Sequence, residues 1–238
     1  MNTAETAGFR GKAGNIATDF SQSTLAAGLA SSSRGVYAQI MSALLDRLYH
    51  LHWVTQDVAR CAQPYLGFYR GFLRPHGFRS LINLRGENPN FRWWRTEKRV
   101  AQELGIVHFD VKMSSRNLPS RSGLAELFVA FEKARAPILL KCSGGQDRTG
   151  LAAALYILQA GGAAALEEAE NQFALWPYLH HPKSYQLWLR EFPAYALAEA
   201  HGMPVGQWAR TRYDPKAFAA FLGAKGLSHS FRAFQAEV

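Results

Sequence analysis

The 238-residue chain has only two cysteines, Cys61 and Cys142, and no CxxC pair. Two thiols make no disulfide framework, and without that spacing no thiolate zinc site is indicated. Such sparse cysteine is what a reducing, cytoplasmic setting predicts. Acidic residues are few as well. There are 18 Asp and Glu against 27 Lys and Arg, a formal net charge of +9. A surface with that balance attracts anions: phosphorylated molecules, acidic membrane surfaces or nucleic acid. The opening MNTAETAGFRGKAGNIATDF lacks a basic stretch followed by an apolar core, so no secretory signal is expected. No run of residues is read as a membrane span.

The 48% of hydrophobic residues is ordinary, and the length suffices for one large domain with a buried core. Residues 1–33 are rich in Ala, Gly, Ser and Thr without periodicity, which predicts a mobile or loosely packed segment. In 34–55, Tyr37, Met41, Leu44, Leu48 and Leu51 recur at helical spacing. That predicts an amphipathic helix packed on the domain, or one that meets a membrane surface or partner.

From residue 56 strands and helices alternate. Extended segments are read at 58–64, 79–85, 106–113 and 137–142, with helices at 66–76, 92–105, 120–135 and 147–161. Ser120 is the expected N-cap of the third of these helices. Such alternation implies parallel pairing through right-handed crossovers. After Gly162 the pattern is helical at 163–175, 183–200 and 214–224. The predicted architecture is therefore α/β, a central, mostly parallel sheet flanked by helices with extra helices at both ends. One domain is expected over 56–238, with its core in 56–162 and a helical part in 163–238.

PILLKCSGGQDRTGLAAALYIL, residues 137–158, joins a buried strand to a helix through a cysteine and two glycines. A helix N-terminus offers unpaired N–H groups and the positive end of its dipole. Gly144 and Gly145 let the backbone turn such groups inward. An anion held by residues 143–148 meets Cys142 on one side and Arg148 on the other. The same field lowers a thiol pKa, and the thiolate is the nucleophile. Arg148 presents a planar fork that grips two phosphate oxygens. The Thr149 hydroxyl is placed to donate to the thiolate. These parts suffice for phosphoryl transfer to sulfur without a metal or cofactor.

The spacing Cys142-x5-Arg148-Thr149 resembles the signature loop of the cysteine-dependent protein tyrosine and dual-specificity phosphatases. RCAQP and SLINLR, at 60–64 and 80–85, also look like the first strands of atypical dual-specificity members from bacteria and fungi. The resemblance covers about 56–162. It implies a dual-specificity phosphatase-like fold and a phosphocysteine intermediate. Cys142 is then the nucleophile, and Ser143, Gly144, Gly145, Gln146, Asp147 and Arg148 form the phosphate cradle. It also implies a phosphorylated protein as substrate, with a phosphorylated lipid or inositol as the alternative. A phosphate-binding module without turnover is the second alternative. Peripheral membrane contact fits the basic surface and the helix of 34–55.

Two positions depart from that family. Lys141 stands where a histidine is usual, and it is expected at the substrate mouth with Ser115 and Arg116. The loop MSSRNLPSRS, 113–122, contains no carboxylate where the family's acid is usually found. Ser115 falls near that acid position. Asp147 is therefore the first candidate acid, Asp110 the alternative, and a water or substrate proton the third. An N-cap or an ion pair is the plain structural reading of Asp147. Cys61 reads as a small core residue. The basic, Trp-containing segment 70–99 reads as a solvated face that draws in anions rather than a nucleic-acid surface. His180 and His181 read as loop residues, since no ligand cluster accompanies them.

Overall fold

Strands that are apolar on both sides must be covered on both sides. Val58–Cys61 (β2), Ser80–Asn83 (β3) and Ile138–Lys141 (β5) are buried at every position. Val107–Asp110 (β4) is partly exposed, and His52–Trp53 (β1) is only two residues long. In the computed structural model, which describes residues 35–65 and 67–237, these form one sheet in the order β1-β2-β5-β3-β4. Every pairing is parallel except β1 on β2. Lys141, the last residue of β5, is in register with Cys61 on one side and Asn83 on the other. The loop after β5 therefore emerges at the carboxyl edge of the sheet, where open α/β sheets bind ligands.

Side chains alternate along each strand, so each strand feeds two cores. Ala59, Cys61, Leu81 and Leu139 pack with Tyr69–Leu73 (α2) and Arg92–Glu103 (α3). Val58, Ile82, Ile138 and Leu140 face the other way. They join one core with Arg121–Lys133 (α4), Asp147–Gly161 (α5), Leu166–Asn171 (α6), Trp188–Ala200 (α7), Val205–Thr211 (α8) and Pro215–Ala224 (α9). Trp188, Phe192 and Phe218 are fully buried there. Each contributes roughly 1.5–3 kcal/mol of burial, so the helical tail is part of the domain's core.

β2, β3, β4 and β5 and the helices α3, α4, α5 and α7 lie where the periodicity placed them; β1 falls in the segment expected to be helical. Ser120 caps α4 as expected, its hydroxyl accepting from the Gly123 N–H at 3.0 Å. Other expectations change. The chain divides into two units, Met1–Ala43 and Leu44–Val238. The expectation for 1–33 lies outside the described residues. The helix expected over 34–55 spans 35–48 (α1). His50, in a left-handed conformation, ends it. Leu51 N–H then bonds the Asp46 carbonyl at 2.8 Å, and His50 N–H bonds that of Arg47 at 3.3 Å. At the C-terminal end of α1, Leu45 is buried while Leu44 and Leu48 are exposed, one step around from the expected stripe. α8 is seven residues long and too short to show a period. The stretch Asp147–Asn171 is apolar and long enough to cross a membrane by composition, yet half of it is buried inside the protein. It is the domain's central helix and its continuation.

Candidate active site

The loop Cys142–Gln146 turns between β5 and α5. Gly145 makes the turn possible, with a φ of 68° that L side chains avoid. A Cβ there would stand 2.6 Å from the Ala62 nitrogen, so space excludes one too. The tight turn puts the Gly145 N–H 3.3 Å from Cys142 Sγ. Gln146 starts α5 without a side-chain cap bond, which leaves the helix N-terminus open toward the loop.

Burial alone pushes the Cys142 thiol up, but the Arg148 guanidinium and the N–H groups of Thr149 and Gly145 hold it below its ordinary value. The thiolate is therefore favoured in a nearly closed pocket; only 3% of the residue is exposed. Arg148 reaches across the loop, its guanidinium 3.1 Å from Ser143 Oγ and 3.4 Å from the Leu84 carbonyl oxygen. Thr149 supports the thiolate through its backbone, not its hydroxyl. That hydroxyl points to the Gln146 carbonyl oxygen, 3.4 Å away.

One residue that braces the loop gave no sequence signal. Arg60, on β2, is fully buried. It donates to the carbonyl oxygens of Gly145 at 3.1 Å and Gln146 at 2.8 Å, and to that of Gln172 at 2.8 Å. Its guanidinium also lies 4.2 Å from the centre of the Tyr178 ring. By holding the Gly145 and Gln146 carbonyls on the sheet side, Arg60 fixes how the loop backbone turns. Burial pulls its pKa down to about 10, which still leaves it cationic at neutral pH.

Lys141 is not at the substrate mouth. It is fully buried on the opposite side of β5, because strand alternation turns it away from the Cys142 loop. Its ammonium lies 2.8 Å from Glu97 Oε2 and donates to Gln63 Oε1 at 2.6 Å. Glu97 also accepts from Tyr69, Gln63 and His108 at 2.6, 3.0 and 2.9 Å. Burial works against the ionised Glu97, yet Lys141 and His108 hold its carboxyl below the usual range.

Asp110 is committed in the same way. Its Oδ1 accepts from Asn83 at 2.7 Å and Trp94 Nε1 at 2.9 Å, and its Oδ2 faces Lys98 at 3.7 Å. These bonds tie β3, β4 and α3 together, so the alternative acid has a structural assignment. Asp147 stands differently, inside the loop and about a quarter exposed. Its Oδ2 accepts from Gln186 Nε2 at 2.8 Å, and the same amide reaches Ser115 Oγ at 3.1 Å. Gln186 thereby links Asp147 to the acid-free loop, a role invisible in sequence.

Beside the loop opens a cavity of about 640 Å³. Arg85, Lys112, Arg116 and Arg148 line it together with Ser114, Ser115 and Glu237. Ser115 and Arg116 are thus at the mouth, as expected. Arg85 is held there by Gln63 and Tyr65, each 3.0 Å away, and its guanidinium lies 3.7 Å from the centre of the Trp93 ring.

A thiol held below its ordinary pKa, the Gly145 N–H on its sulfur and the Arg148 guanidinium beside it stand together in and around one loop. Residues 90–166 match the family model described as the tyrosine phosphatase family. The match bears out the resemblance. It covers β4, α4, β5, the Cys142 loop and α5. No curated protein matches the chain. Among solved structures it is similar to PTPMT1, at 18% identity over 63% of this chain and 98% of that one, with a TM-score of 0.47. It is similar to the core catalytic domain of the PP-IP phosphatase SIW14 from S. cerevisiae, at 18% identity over 74% and 93% with a TM-score of 0.42. Kinase associated phosphatase gives 19% identity over 63% and 96%, with a TM-score of 0.49.

Proposed function

We propose that this chain hydrolyses phosphate monoesters in two steps through Cys142. The observation that carries the reading is the thiol's environment: Sγ receives the Gly145 N–H, with Arg148 beside it, in a site that lowers its pKa. In the first step the thiolate attacks phosphorus, the bond to the leaving oxygen breaks, and an acid protonates that oxygen. Asp147 is the acid in this reading, because it is the carboxylate at the loop and Asp110 is bound up in the sheet. Arg148 and the loop N–H groups hold the equatorial oxygens, where charge spreads in the transition state. In the second step water attacks phosphorus, the S–P bond breaks and Cys142 leaves as thiolate.

A protein tyrosine or dual-specificity substrate is what the resemblance implies. A second reading draws on the cavity. Arg85, Lys112 and Arg116 line it beside Arg148, a surplus of positive charge for one phosphate. That favours a substrate with further anionic groups, such as a phosphoinositide or an inositol phosphate. The test is a panel of aryl phosphate, phosphopeptides, phosphoinositides and inositol phosphates, run on wild type and Cys142→Ser. Turnover by wild type and none by the variant is expected. Equal rates for the two would leave only a phosphate-binding module.

A further inference from the structure

His180 lies in a loop between α6 and α7, and the structure buries it completely beside the Cys142 loop. Its Nδ1 is 3.2 Å from the Phe173 carbonyl oxygen. A carbonyl only accepts, so Nδ1 carries a hydrogen and donates it. Nε2 is then the basic nitrogen. It is buried without a hydrogen-bond partner among the described residues, and Asp147 Oδ1 stands 3.4 Å away. A neutral imidazole and an ionised carboxylate in that arrangement face lone pair to lone pair. A proton shared by the two groups removes the conflict. Gln186, donating to Asp147 Oδ2, fixes which oxygen faces the imidazole.

We propose that His180 is a positioning residue that keeps on the Asp147–His180 pair the proton given to the leaving oxygen. This rests on the reading of Asp147 as the acid. As the phosphorus–oxygen bond breaks, the proton passes through Asp147 to the departing oxygen and forms its O–H. The pair is then an ionised carboxylate against a neutral imidazole, the arrangement that most attracts a proton. When water attacks the phosphocysteine, its proton returns to the pair and Cys142 recovers the electrons of the S–P bond. The other groups acting on the pair are Arg60 from β2 and Cys142, with Arg190 of α7 donating to the His180 carbonyl oxygen at 3.4 Å. The Phe173 ring packs against the imidazole, 5.1 Å between centres.

His180→Asn tests this, because the amide can keep the bond to Phe173 while the basic nitrogen is lost. It should slow an alkyl phosphate about 100-fold and an aryl phosphate with a good leaving group only about threefold. Asp147→Asn should show the same pattern, and the double variant should be no slower than the worse single one. Equal losses for both leaving groups in His180→Asn, or additive losses in the double variant, overturn the proposal. An Asp147→Asn variant with no leaving-group dependence overturns the acid assignment itself, and the proposal with it. If His180→Asn melts early, wild type and Asp147→Asn labelled with ¹⁵N-histidine decide. The His180 Nε2 resonance is expected to move between them, and an unmoved resonance overturns the proposal.

Discussion

Lys141 and Cys142 are neighbours in the chain, yet they belong to two polar systems of opposite kind. On the Lys141 side, Glu97, Gln63, Tyr69 and His108 bond to one another around the buried ammonium, and Gln63 also accepts from Arg85. On the Cys142 side, an open helix N-terminus and a cationic fork point into a cavity. The first system pairs its charges inside the fold; the second presents a guanidinium to a cavity. Asp110 and Asp147 repeat the contrast. The former ties strands to a helix, while the latter faces a nitrogen that has no bond.

The contrast is broken most severely by removing one charge from the closed system. Glu97→Gln leaves Lys141 buried against a neutral group, and should lower unfolding free energy in urea by about 3–5 kcal/mol. A loss below about 1 kcal/mol would place Lys141 outside a tight pair. In the open system, Arg148→Lys keeps the charge and loses the fork. Turnover of an aryl phosphate should fall about 10²–10³-fold with little change in the melting curve. The thiol supplies the pH test. Its pKa is held below the ordinary value, so the thiolate, and the rate of alkylation by iodoacetamide, should persist to lower pH than for an ordinary cysteine and fall as pH drops through that lowered pKa. Arg148→Gln should move the midpoint up, and Glu97→Gln should move it far less. The smallest effect is expected of Asp110→Asn, whose turnover should stay within about threefold of wild type at every leaving group. A leaving-group-dependent loss there would return the acid role to Asp110.

The thiol, the turn and the guanidinium of the candidate site were legible because their signal is local. Cys142, Gly145 and Arg148 fall within seven residues, between a strand and a helix of clear pattern. Arg60 was not legible, since its partners Gly145 and Gln172 lie far along the chain and meet it only through the fold. Gln186 and His180 reach Asp147 by the same route, from the connection between α6 and α7. Lys141 was misplaced because one residue of alternation along a strand changes which side a chain faces. For Thr149 the backbone N–H, not the hydroxyl, is the group that acts on the Cys142 thiol. β1, two residues long, and α8, seven long, lie below the length at which periodicity speaks.

The central claim is that phosphorus passes through sulfur. Mixing the protein with a phosphate monoester, quenching in acid within milliseconds, and locating phosphate by peptide mass spectrometry tests it directly. The expected result is a phosphorylated peptide containing residues 141–148, with the group on Cys142 and none in Cys142→Ser. Turnover with no phosphoenzyme, or with phosphate on another residue, would contradict the account.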